Sequence, residues 1–130
     1  MTAMTFDWFT VGDLIGSSEV ALDAQMFARW FAIFPQDDQG DGTMPMGLSS
    51  PLMMQAYANI LHGKPKGNVH GGQRFTFKAL PRLGDVVISE IRCLGKRMSG
   101  PRKWLELGIT SRDRAGDLFW DAKMTVLWAE

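Results

Sequence analysis

The sequence predicts an α+β domain in which an antiparallel sheet wraps around one apolar helix. Two observations carry this. After residue 67 the chain alternates apolar and polar residues with period two, in four segments divided by turn residues, and alternation of that length marks antiparallel strands with one buried face. Before them, residues 50 to 62 have a helical pattern and contain no Asp, Glu, Lys or Arg, the composition of a helix buried by its neighbours. Packing such a helix against such a sheet is one of the few stable layer arrangements.

In chain order, Thr5-Phe6-Asp7-Trp8-Phe9-Thr10 is rich in β-formers and reads as a short strand or an extended arm. Val11-Gly12-Asp13 reads as a turn. Up to residue 67 the remaining patterns are mostly helical. Residues 22 to 34 form the first helix, with Leu22, Met26, Trp30 and Ile33 on one face and Phe27, Phe31 and Phe34 on another. A helix apolar on two faces is buried or lies at an interface, and Pro35 ends it. Residues 35 to 47 carry Asp37, Asp38, Gly40, Asp41, Gly42 and Pro45, which is loop chemistry. Ser50 is then placed to cap the second helix and Pro51 to occupy its first position. Gly63 and Pro65 stop it.

The strands follow. Phe75, Phe77 and Ala79 alternate with Arg74, Thr76 and Lys78. Residues 85 to 95 put Val86, Ile88 and Leu94 on one face and Val87, Ile91 and Cys93 on the other. Leu105, Leu107 and Ile109 alternate with Trp104, Glu106 and Thr110, and Trp120, Ala122, Met124, Val126 and Trp128 with Asp121, Lys123 and Thr125. The turns are Pro81-Arg82-Leu83-Gly84, Ser99-Gly100-Pro101 and Arg114-Ala115-Gly116. The edge strands of such a sheet, the two-faced first helix and the outward Trp104 all favour a dimer or larger assembly.

Composition narrows the function. The 130 residues fit a single domain, residues 1–130, and 45% of them are hydrophobic, enough for a packed core. Lys plus Arg and Asp plus Glu both number 14, so the chain has no overall charge with which to hold nucleic acid or an anionic membrane. No stretch is long enough to span a membrane. Cys93 is the single cysteine, which excludes an intrachain disulfide and reads as a small buried hydrophobe. With no cationic start followed by an apolar run, the expectation is a cytoplasmic protein. Lys96, Arg97, Arg102 and Lys103 form one local basic cluster, either a solvated hairpin tip or a dock for the phosphates of coenzyme A or an acidic carrier protein.

Four segments, in this order and spacing, resemble the hot-dog fold and within it the MaoC-like hydratases and dehydratases. They are Val11-Gly12-Asp13 with the helix ending Trp30-Phe31-Ala32-Ile33-Phe34, Ser49-Ser50-Pro51-Leu52-Met53-Met54, His70-Gly71-Gly72-Gln73-Arg74-Phe75-Thr76-Phe77, and Pro81-Arg82-Leu83-Gly84-Asp85. The third looks like the strand of the N-terminal, dehydratase-type branch. The resemblance spans residues 6 to 128. It implies a sheet around a central helix, an acyl thioester of coenzyme A or of a carrier protein as ligand, no further cofactor, and a homodimer or a heterodimer with another hot-dog subunit.

Active members of that family carry an Asp and a His in a loop motif, roughly Asp-x-Asn-Pro-x-His, before the central helix. The pair activates the water that adds to an enoyl thioester or leaves a 3-hydroxyacyl thioester, work that needs a group titrating near neutrality. The matching loop, Gln36 to Pro45, has acids but no histidine. The resemblance therefore implies a non-catalytic subunit, with no catalytic residue of its own beyond the weak candidates His70 and Asp38. Ser50, Met53, Met54 and Tyr57 on the central helix, and His70, Gly71, Gly72 and Gln73 on the strand, are the expected substrate-binding residues. Paired glycines in a strand often admit a close neighbour, here a pantetheine arm or a partner, or else accompany an ordinary bulge. His62 is expected at the helix end, and the three loop aspartates as turn formers. No metal site is expected, since no His or Cys stands near those acids. Two other functions stay open: a homodimeric acyl thioesterase, disfavoured because no Asp or Glu occurs from Gly42 through Gly84, and a binding protein for an acyl or other apolar ligand without chemistry.

Overall fold

The computed structural model describes residues 3–130. Its elements are β1 (Leu14–Ala21), α1 (Ala24–Ile33), α2 (Ser49–Ile60), β2 (Val69–Phe77), β3 (Val86–Ser99), β4 (Arg102–Arg112) and β5 (Leu118–Trp128). The five strands form one antiparallel sheet in the order β1-β3-β4-β5-β2. Consecutive strands β1 and β2 thus occupy opposite edges, and the chain crosses between them through α1 and α2. On that crossing α2 buries Leu52, Met53, Ala56, Tyr57 and Ile60 in the same core as the inward residues of β3, β4 and β5.

The alternation of those three strands becomes burial as expected. Val87, Ile91 and Cys93 are buried, as are Leu105, Leu107 and Ile109, and Trp120, Ala122, Met124, Val126 and Trp128. Two polar residues share this face. Ser89 and Ser111 are register partners, and their hydroxyls bond each other at 2.8 Å, which removes the cost of burying either. Gly84, Gly100 and Gly116 take positive φ in the three expected turns, where a side chain would be strained. Among the described residues, no helix is long and apolar enough to cross a membrane.

Several expectations are corrected. Residues 5–10 form neither strand nor arm: Phe6–Trp8 is a turn of 3-10 helix whose Phe6, with Phe9 just after it, enters the core. The region before residue 67 is mostly helical as expected, but it also contains the eight-residue strand β1, which the pattern did not reveal. That strand is an edge with a weak pattern, and Gly16 is needed where a Cβ would lie 2.9 Å from Ile60 of α2. Asn59 of α2 also donates to the Ser18 hydroxyl at 3.2 Å. Helix α1 starts at the Asp23 cap, which accepts from the Met26 N–H at 2.8 Å. It is not buried on two faces, since only Phe27 is buried while Ile33 is 72% exposed.

Ser50 does not cap α2. A 3-10 turn, Met46–Leu48, leads straight into the helix, the cap position is Leu48, and the Ser49 hydroxyl donates back to the Met46 carbonyl at 2.6 Å. The helix is buried on one side only. Met54, Gln55, Ala58 and Asn59 are exposed, so its lack of charge describes two different faces. β2 begins five residues before the alternation at Arg74, because its first part, Val69 to Gln73, lies on an edge with little burial.

Candidate functional site

The loop between α1 and α2 is held by its own side chains. Trp30 projects from α1 into it. The Trp30 indole N–H donates to Asp37 at 2.9 Å, and the ring covers Gly47 so closely that a Cβ there would lie 2.6 Å away. Asp38 accepts from the Gly40 N–H at 2.9 Å, and Asp41 from the Thr43 N–H at 2.9 Å. Bonds from Thr43 hold the Asp41 carboxyl below the usual carboxylate range, with Arg82 adding to the effect. The Arg82 guanidinium also donates to the Asp41 carbonyl. Each of the three acids therefore has a structural task in the loop. Among the described residues, no three His, Cys, Asp or Glu side chains gather as a metal-ligand set.

A second region is different. Between the C-terminal half of α2, residues 64–68 and the start of β2 lies an open cleft of about 430 Å³. Met54, Tyr57 and His70 line it together with Lys64, Lys66 and Asn68, over a floor of Met124 and Val126. Tyr57 is 5% exposed, and burial pushes its phenol above the ordinary 10.0. Lys64 Nζ sits 5.5 Å from the Tyr57 ring centroid. The Asn68 side-chain oxygen Oδ1 accepts from the Ala129 N–H at 2.8 Å, whereas its Nδ2 is buried without a hydrogen-bond partner among the described residues. Asn68 lies near enough to Tyr57 to oppose that rise, but not in the geometry of a formed bond.

The sequence-predicted residues divide accordingly. Met54, Tyr57 and His70 meet in the cleft. Ser50 and Gln73 meet at the other end of α2, where the Gln73 amide donates to the Ser50 hydroxyl at 3.2 Å. Ser50, Met54 and Tyr57 recur at helical spacing along one side of α2, and β2 runs beside them from Gln73 back to His70. Met53 is 1% exposed and belongs to the core. Asp38 is in the loop and does not line the cleft. Gly71 is the bulge residue of β2, between His70 and Gly72 in the register with β5. The neighbour it admits is the chain's own Trp104: a Cβ at Gly71 would lie 2.8 Å from that ring, while one at Gly72 would meet nothing within 4 Å.

Trp104, expected to be an uncovered apolar surface, is thus packed on Gly71 and overlaid by Arg97, whose guanidinium carbon is 5.1 Å from the ring centroid. Two lysines of the basic cluster are also engaged. Lys96 donates to the Phe9 carbonyl at 2.9 Å and lies over Phe6, and Lys103 donates to the Glu130 carbonyl at 3.3 Å. The sequence reading passed over Lys64, Lys66 and Asn68. Their one available signal was position: they connect the uncharged helix to the strand and stand among no acids.

Most of the chain aligns with solved structures of dehydratases and hydratases. A MaoC-like dehydratase from Rhodospirillum rubrum matches at TM-score 0.83 and 14% identity, over 98% of this chain and 99% of that one. The chain has the MaoC-like hot-dog fold. R-hydratase PhaJ1 from Pseudomonas aeruginosa is similar at TM-score 0.78 and 19% identity, over 98% and 87% of the two chains. The HadBC (3R-hydroxyacyl-ACP dehydratase) complex from Mycobacterium tuberculosis is similar at TM-score 0.69 and 13% identity, over 85% and 90%. No protein-family model matches the sequence, and no curated protein matches it significantly. Within the hot-dog fold α2 is the enclosed helix, the Trp30-anchored loop precedes it, and the Tyr57 cleft opens beyond its C-terminal half.

Proposed function

We propose that this hot-dog chain is an acyl-thioester-binding subunit, the non-catalytic partner in a (3R)-hydroxyacyl-thioester dehydratase or enoyl-thioester hydratase. The observation that carries the reading is the condition of the loop before α2. Adding water across the enoyl double bond needs one group to take a proton from water and deliver one to carbon, with a proton affinity near neutral. The loop's three carboxylates are bonded to Trp30, Gly40 and Thr43, and neither histidine is in it. His62 lies past α2 with Nδ1 3.4 Å from the Asn59 carbonyl, and His70 lines the cleft.

What the chain offers instead is a wall. Met54 and Tyr57 line the cleft on the same side of α2 as Ser50, which Gln73 of the edge strand β2 bonds. A flexible thioether and a phenol suit an aliphatic chain. The acid–base pair would come from a second hot-dog chain, as the two-protein composition of the HadBC dehydratase complex supports. Dimerisation, with itself or with such a partner, would also cover the open edge of β2. The thioesterase alternative has no observation in its favour, since Asp38 and Asp41 are committed to turns.

The test is a hydration assay of the purified chain with a short trans-2-enoyl thioester, repeated with His70→Ala. Little or no hydration is expected, because losing one acid–base group removes about a hundredfold to ten-thousandfold of rate. Robust hydration that His70→Ala abolishes would make His70 the base and overturn the proposal.

A further inference from the structure

We propose that the Tyr57 cleft binds the phosphate that ends the ligand's arm, with Lys64 and Lys66 as its counter-charges. This rests on the acyl-thioester reading and adds an orientation: the phosphate lies at the cleft, the thioester toward Ser50 and Gln73.

The first support is charge. The chain is neutral overall, but residues 42–84 contain five Lys and Arg and no Asp or Glu, so the rest of the chain carries a net −5. The cleft lies within the positive part, and no acid lines it. A cleft of one sign with low-dielectric walls concentrates counter-ions. The second support is the state of its lysines. Neither Lys64 nor Lys66 is in an ion pair among the described residues. Lys64 turns to the Tyr57 ring instead. In contrast, Lys96, Arg97 and Lys103 of the more obvious basic cluster are spent on the protein's own carbonyls and rings.

The third support is Asn68, a residue of the cleft lining whose buried Nδ2 has no hydrogen-bond partner among the described residues. A buried donor left unpaired is costly and marks a place where an acceptor is wanted. The fourth is length. From Ser50 to Ile60, α2 rises about 15 Å at 1.5 Å per residue, and Lys64 and Lys66 follow just beyond. A thioester carrier's arm, two amide units between a sulfur and a phosphate, is of that order when extended. With its sulfur near the Ser50–Gln73 pair, such an arm would bring its phosphate to the lysines.

The experiment is calorimetric titration of the full chain with pantetheine 4′-phosphate and with pantetheine, which differ by the phosphate alone, in wild type and in Lys64→Gln/Lys66→Gln. Wild type is expected to bind the phosphorylated arm on the order of tenfold more tightly, with the preference falling as salt rises. The double variant should lose that preference and keep its affinity for pantetheine. A preference that is absent in wild type, or that survives in the double variant, overturns the inference and leaves the thioester reading standing. If neither arm binds, octyl phosphate and octanol form the second pair. Lysine-dependent binding of octyl phosphate would then support the phosphate site and sink the thioester reading, whereas no binding would sink both. Coenzyme A is the final titrant: tighter binding than pantetheine 4′-phosphate points to the free coenzyme as the source of the arm, and equal binding to a carrier protein.

Discussion

The loop before α2 and the cleft beyond it are both polar, and they differ in what their polar groups are doing. In the loop, Asp37, Asp38 and Asp41 each accept a hydrogen bond from the chain itself, and Trp30 closes over Gly47. At the cleft, among the described residues, Asn68 Nδ2 has no acceptor and the Lys64 ammonium lies near the Tyr57 ring without an ion-pair partner. Groups bonded internally are held in place by the fold and gain less from a new partner. Groups left without partners cost stability, and they are where a ligand gains most on binding. By that criterion the acid-rich loop, which attracts attention first in the sequence, reads as scaffold, and the segment from Lys64 to Asn68, which the sequence did not bring out, is where the proposed ligand would gain most.

The largest effect that would break this contrast is expected at Trp30. Trp30→Ala removes the ring from Gly47 and the indole donor from Asp37, and should cost about 2–3 kcal/mol in urea denaturation, somewhat below the range for fully buried aromatics. Ligand binding at the cleft should survive in the fraction still folded. A loss of binding without a loss of stability would make the loop the functional element.

Gly71→Val should come next. It forces a branched side chain into the Trp104 ring and is expected to cost about 1–3 kcal/mol, as overpacking does, seen as a lowered thermal midpoint. The same change at Gly72 should cost less, because its Cβ direction is open. Equal costs would show that the bulge is not shaped by Trp104.

The smallest effect is at Tyr57 and depends on pH. Its folded pKa is raised above 10.0 because burial disfavours the phenolate. Its neutral form therefore contributes fully below 10.0, and that stability is lost as pH rises through the folded value, since the unfolded chain ionises first. Thermal midpoints measured from about pH 9 to 11.5 should fall more steeply in wild type than in Tyr57→Phe. Parallel profiles would mean that Tyr57 is open to solvent, and the cleft would lose its sheltered wall.

Sequence alone determined the class of fold, the helix at residues 50 to 62 and the inward faces of β3, β4 and β5. These are local properties: a strand or helix with one buried side must repeat its apolar residues at the period of its own backbone, and that period is written in consecutive residues. It also brought out Met54, Tyr57 and His70 as companions, through the resemblance rather than through any spacing. Only the tertiary structure decided the remainder. β1 exists because Gly16 lets it lie against Ile60 and because it pairs with β3, far along the chain. Ser50 turned from a cap into a partner for Gln73, and Trp104 from an exposed patch into a lid on Gly71. Which acids are consumed and which lysines stay free follows from contacts between residues distant in sequence, and no local period records them.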